Sequence, residues 1–170
     1  IFPTYGARID NSGPTLKIFD DVRKKYVALT PEEWVRQHWI HYYLTIKSYS
    51  VSALITEKKI VLNGLTKRVD LLVTEKTQPK ILVECKAPQI KLTEKTFEQT
   101  ARYNSIIGAK EIILTNGLQH IHAFFENGEY RNFYVCVLFF GAENCGTNFR
   151  FFSCYIGKNF NVFKIYYSLF

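Results

Sequence analysis

Asp70 and Glu84 stand fourteen positions apart, each against an apolar run: Asp70 precedes Leu71-Leu72-Val73, and Glu84 follows Ile81-Leu82-Val83. A carboxylate placed beside a core must be paired, protonated or bound to a cation. Side chains alternate along a strand, so Glu84 and Lys86 project to one face while Cys85 points to the other. If the strands carrying Asp70 and Glu84 are neighbours, as the short turn between them implies, both carboxylates converge with Lys86 beside them. Two carboxylates suit a hard, oxygen-preferring cation such as Mg²⁺, with Mn²⁺ as a substitute, and that set fits hydrolysis of a phosphodiester. Lys86 would then orient or help deprotonate the attacking water, or stabilise developing negative charge. On spacing alone a plainer arrangement competes, in which either acid simply forms a salt bridge with Lys86 or Arg68 at a strand end.

The elements that must position these residues are legible in order. Loop signals fill Ile1 to Lys25, with short strands expected near Leu16 to Phe19 and Tyr26 to Leu29. Thr30-Pro31-Glu32-Glu33 reads as a helix start, with Thr30 as cap, Pro31 in the first turn and Glu33 able to complete a capping box. That helix is expected to run to about Lys47, with Val35, Trp39, Tyr42 and Ile46 as its buried stripe. Residues 51 to 62 and 66 to 74 read as strands joined by Asn63-Gly64, a strong hairpin signal. A turn near Lys76 to Pro79 leads to a strand over Ile81 to Lys86, and Thr93 caps a second helix to about Ile107. Strands at Ile112 to Thr115 and Gln119 to Phe125 follow. The order is α, β, β, β, α, β, β.

These residues carry a resemblance. Val69-Asp70 followed by Glu84-Cys85-Lys86 within this order resembles the PD-(D/E)xK nuclease superfamily. The segments Thr30 to Gln37, Leu65 to Asp70, Val83 to Pro88, Phe97 to Asn104 and Leu114 to Gly117 are together similar to the N-terminal nuclease domain of type I restriction enzyme R subunits. The resemblance covers roughly residues 24 to 130 and implies an α/β (α+β) fold with a restriction-endonuclease-like αβββαβ core, its central mixed sheet flanked by helices. It further implies a Mg²⁺-dependent endonuclease acting on DNA, in which Asp70 and Glu84 bind the metal and Lys86 is the catalytic lysine. Gln99 and Tyr103 match a QxxxY element and, four positions apart, share a helix face from which they can position the acids or touch the DNA backbone. Glu33 and Glu57 match acids of related sequences and are auxiliary metal-ligand candidates, with helix capping and strand-surface roles as the plainer readings. Val69 stands where the superfamily motif has Pro.

The net charge of +7 agrees with a polyanionic partner without identifying one. Lys58, Lys59, Lys67 and Arg68 crowd the first hairpin, Arg23 to Lys25 form another basic run, and Lys91 and Lys95 flank the second helix start. Some of these would track phosphates if the nuclease reading holds. Histidines 38, 41, 120 and 122 read as structural, because neither pair has a third ligand at suitable spacing. No run of apolar residues approaches a membrane span, so a cytoplasmic protein with no membrane partner is expected. The four cysteines show neither zinc nor paired spacing, and the absence of Met suggests that the natural start lies elsewhere. Thirteen of the 27 aromatic residues fall in residues 133 to 170, which divides the chain into a nuclease-like domain, 1 to 131, and an aromatic-rich tail, 132 to 170. Other restriction-modification subunits or a second copy of the chain are further expected partners. Two alternatives stand beside the enzyme: a catalytically inactive nucleic-acid-binding or assembly module with the same fold, and a truncated or mistranslated fragment.

Overall fold

A computed structural model describes residues 5–126, 128–137 and 153–156. Among these residues, ten strands and two α-helices follow in chain order. Strands β1 (Ile9–Asp10), β2 (Lys17–Asp20) and β3 (Lys25–Ala28) form a small antiparallel sheet. Helix α1 (Pro31–His41) comes next, then β4 (Leu54–Leu62), β5 (Leu65–Glu75) and β6 (Gln78–Cys85). After α2 (Glu94–Ile107) come β7 (Glu111–Thr115), β8 (Gln119–Glu126), β9 (Glu129–Val137) and β10 (Ser153–Ile156). The larger sheet has seven strands in the order β10-β9-β8-β7-β6-β5-β4, antiparallel except where β6 and β7 run parallel with α2 as the crossover. The α/β (α+β) class and the α, β, β, β, α, β order are therefore present. β9 runs through Asn132 and pairs with both β8 and β10.

The hairpins form for the reasons visible in the sequence. Asn63 and Gly64 both adopt positive φ, 51° and 75°, the pairing that lets a two-residue turn match strand twist. Lys76 and Thr77 do the same, at 49° and 67°, between β5 and β6. Thr93 and Thr96 cap α2 reciprocally, and Gly108 ends it in the left-handed region at φ 73°.

The sheet is covered on both faces. On one, Val35, Trp39 and Ile40 of α1, with Tyr43 just beyond it, pack against Leu71, Val73, Ile81, Val83, Cys85 and Ile113. On the other, Phe97 of α2 packs with Ile112 and Leu114, and Tyr103 with Leu72 and Leu82. Alternate residues of β6 and β7 thus serve the two helices, and the central strands are apolar on both sides. In the expected stripe of α1 the difference lies in its second half. The helix passes into a π-helical turn, Tyr42–Ile46, whose extra residue per turn rotates the face, so Tyr43 is buried in place of Tyr42 and Ile46 is 55% exposed.

Candidate active site

Asp70 and Glu84 lie on adjacent antiparallel strands. The register pairs Leu71 with Val83, one residue inward from each acid. The Cys85 N–H donates to Asp70 Oδ2 at 2.7 Å, which ties the Asp70 carboxylate to the strand that carries Glu84. Lys86 Nζ donates to Glu84 Oε1 at 2.9 Å. The three residues expected at the centre are therefore gathered at one end of the β5–β6 pair.

A local irregularity sets the direction of Asp70. On regular alternation Val69 and Leu71 would share a face, yet Val69 packs with Leu72 and Leu82 on the α2 side while Leu71 packs on the α1 side. The alternation slips at Asp70. Opposite it in the ladder, between the pairs Thr56–Leu71 and Lys58–Val69, Glu57 adopts φ 54°. Asp70 thereby turns toward α1, where Arg36 Nη2 lies 3.4 Å from its Oδ1. Such a kink re-aims a side chain at a strand end without breaking the sheet.

Both acids are almost wholly buried, Asp70 at 8% and Glu84 at 5% exposure. Burial pushes the Asp70 carboxyl up to about 6, although Arg36 and the Cys85 N–H work against it. Burial, and then the charge of Asp70, push Glu84 up to about 7 against the pull of Lys86. Glu84 Oε2 is buried with no hydrogen-bond partner. For Lys86, burial works against the charge, but the Glu84 carboxylate and its hydrogen bond outweigh it, and the ammonium pKa rises. At neutral pH Lys86 is thus a cation and a donor.

The auxiliary candidates are placed differently. Glu33 Oε1 accepts from Arg23 Nη2 and Gln37 Nε2, each at 2.8 Å, and Glu33 Oε2 lies 3.4 Å from Arg36. Thr30 does cap the Glu33 N–H, but the Glu33 carboxylate is spent on this ladder and not on a capping box. Glu57 hydrogen-bonds Arg36 and lies 3.6 Å from Arg68. Among the described residues no group of three or more His, Cys, Asp or Glu side chains is arranged to hold a metal ion. Glu33 and Glu57 share the Arg36 guanidinium with Asp70, and Glu84 is bonded to Lys86. Gln99 Nε2 donates to the Tyr103 hydroxyl at 2.8 Å, so these two bond each other. Tyr103 packs with Leu82, two residues before Glu84 on the same strand.

Arg36 and Glu32, which were not among the expected site residues, also act at the site. Arg36 is 6% exposed and faces Glu33, Glu57 and Asp70; burial opposes its charge, but these three carboxylates hold its pKa above the ordinary value. Beyond it the ladder continues through Arg23 to Asp20, which is fully buried and also accepts from Gln37 at 2.9 Å. Of the two acids in the first turn of α1, it is Glu32 whose charge is felt at Asp70, Glu84 and Lys86. The available signal was the spacing of Glu33, Arg36 and Gln37 at i, i+3 and i+4, with polar residues among the apolar positions of a buried helix. The histidines behave as expected of structural groups: His120 bonds Thr115 at 2.7 Å and burial pushes it down to about 4, and His122 lies 3.0 Å from Glu111.

Comparison with known proteins gives one match and two negatives. The model of the family described as type I restriction enzyme R protein N terminus (HSDR_N) matches residues 31–134. No curated protein and no solved structure matches.

Proposed function

Because the chain belongs to the family of type I restriction enzyme R protein N termini, we propose that it is a nuclease domain hydrolysing DNA phosphodiesters at Asp70, Glu84 and Lys86. The observation that carries this is the unpartnered, buried Glu84 Oε2 beside a second carboxylate that is fixed to the same strand end by the Cys85 N–H. Two buried acids, one of which raises the pKa of the other, have a strong physical demand for a counter-charge. They suit Mg²⁺, which keeps several waters and takes one or two protein carboxylates together with substrate phosphate oxygens; Mn²⁺ suits the same donors. When bound, such a cation offsets phosphate charge and lowers the pKa of water.

The chain's own residues supply the remainder. The Cys85 N–H holds Asp70 Oδ2, which leaves Oδ1 toward the α1 side where Arg36 approaches. Lys86, held as an ammonium by Glu84 Oε1, donates toward a water or a phosphate oxygen and favours charge developing there. Gln99 and Tyr103, bonded to each other, brace the α2 side of β6. Other restriction-modification subunits, or a second copy of the chain, belong to the same reading, as does action in the cytoplasm; no helix among the described residues is long and apolar enough to cross a membrane.

The test is cleavage of plasmid DNA with Mg²⁺ by the wild-type chain and by Asp70→Ala. Nicking by the wild type alone is expected; equal cleavage by both removes the assigned chemistry. A second reading, a nucleic-acid-binding or assembly module without turnover, draws on the cationic partner that each acid already has, Arg36 for Asp70 and Lys86 for Glu84. It predicts DNA binding that survives Glu84→Ala and no metal-dependent cutting.

A further inference from the structure

Of the basic residues on the β4–β5 hairpin, we propose that Lys59 and Arg68, and not Lys58 and Lys67, form a clamp for the backbone of duplex DNA beside the acidic site. The proposal rests on the nuclease reading for its choice of polyanion, and on sheet geometry for its choice of residues.

The hairpin extends past its neighbour. The β5–β6 register runs from Glu75–Gln78 to Leu71–Val83, so Leu65 to Arg68 and their partners on β4 project as a two-stranded arm. The two faces of this arm differ. Ile60 and Val69 are buried on the α2 side with Tyr103, and Leu62 packs against them. Lys58 is opposite Val69 and Lys67 is opposite Ile60, so both belong to that side. Lys59 is opposite Arg68 and Val61 is opposite Thr66 on the other side, the side to which Asp70 turns. Lys59 is exposed, the Arg68 side chain is 62% exposed, and Val61 beside them is 64% exposed.

Like charges directly opposite each other in an antiparallel pair are destabilising. Arg68 has a partial counter-charge in Glu57 at 3.6 Å, but Glu57 is already bonded to Arg36, and among the described residues no carboxylate pairs with Lys59. A phosphate placed between the two cations supplies what the fold lacks. A two-residue step along a strand is roughly 7 Å, and that step separates the row of Lys59 and Arg68 from the row of Glu57 and Asp70. A strand of DNA whose reacting phosphate lies at Asp70 therefore brings a neighbouring phosphate over the pair. Arg68 suits a bidentate contact and Lys59 a point charge.

The test measures binding without chemistry: a fluorescent DNA duplex titrated with the wild-type chain in EDTA across a salt series. Each phosphate contact contributes about 0.9 to the slope of log affinity against log salt. Lys59→Ala with Arg68→Ala is expected to lower the slope by about 1.8, while Lys58→Ala with Lys67→Ala, the same change in net charge, leaves it unchanged. Arg68→Lys keeps the slope, which separates charge from damage to the hairpin. Equal slope losses in the two double variants, or no duplex binding by the wild type, overturns the clamp. A wild type that binds with the expected slope but fails to cut DNA with Mg²⁺ keeps the clamp and removes the nuclease reading, so the two failures are distinguishable.

Discussion

Glu84→Gln keeps the shape of a buried side chain and removes a charge that the fold opposes. Burial and the nearby Asp70 raise Glu84 from 4.5 to about 7. A carboxyl whose pKa is raised on folding binds more protons in the folded than in the unfolded chain between those values. Its contribution to stability is therefore lost as pH rises from about 4.5 through about 7. At roughly 1.4 kcal/mol per pKa unit, ionising Glu84 in place costs on the order of 3 kcal/mol. Asp70 contributes to the raised pKa of Glu84, so the costs of ionising the two overlap and are not summed. In the variant, the side-chain amide oxygen at this position still accepts from Lys86. Glu84→Gln is thus expected to stabilise the metal-free chain by about 2–3 kcal/mol at pH 8, roughly 4–10 °C in Tm for a chain of this size, and by little at pH 4. Thermal unfolding in EDTA at the two pH values measures it, with the difference between variant and wild type as the readout because other acids titrate in both. A variant no more stable than the wild type at pH 8 refutes the idea that this carboxylate is held at a cost.

The other structural predictions concern the shell around the site. Arg36→Met leaves the carboxylates of Glu33, Glu57 and Asp70 facing an uncharged, buried side chain and should cost about 3–5 kcal/mol in urea unfolding; a loss below about 1 kcal/mol would mean that the ladder is not a unit. Gly117 has φ 84° and its added Cβ would lie 3.0 Å from Val35 Cγ2 of α1, whereas Gly64, at φ 75°, has open space around it. Gly117→Ala should therefore destabilise by more than the roughly 1 kcal/mol expected of Gly64→Ala, and paired denaturation curves compare them.

The parts of the fold that sequence conveyed well are those governed by short-range chemistry. Asn63-Gly64 demanded a tight hairpin and Thr93 demanded a helix start; each is present. The adjacency of the strands that carry Asp70 and Glu84 followed from one short turn, and the pairing of Glu84 with Lys86 from strand alternation. What failed to show depends on events that no period reveals. The π-helical turn after His41 rotates the buried face by a residue, and the slip at Asp70, opposite the positive φ of Glu57, decides which side of the sheet an acid faces. Arg36 is a longer-range case: its three carboxylates come from α1, β4 and β5, so only the folded chain brings them to one guanidinium. Glu33 and Glu57 were ligand candidates because they match acids of related sequences; in the fold Glu57 bonds Arg36, and Glu33 bonds Arg23 and Gln37 with Arg36 3.4 Å away. The division of the chain after Arg131 rested on composition, whereas β9 carries the main sheet through that point; most of residues 138 to 170 lie outside the described residues.

If Asp70 and Glu84 share one divalent cation, a crystal grown or soaked with Mn²⁺ and measured at the manganese absorption edge locates it. An anomalous peak bridging the Asp70 and Glu84 carboxylates, with Lys86 alongside, and absent from Asp70→Ala crystals, is the expected result. A peak elsewhere, or an unchanged peak in the Asp70→Ala crystals, contradicts it.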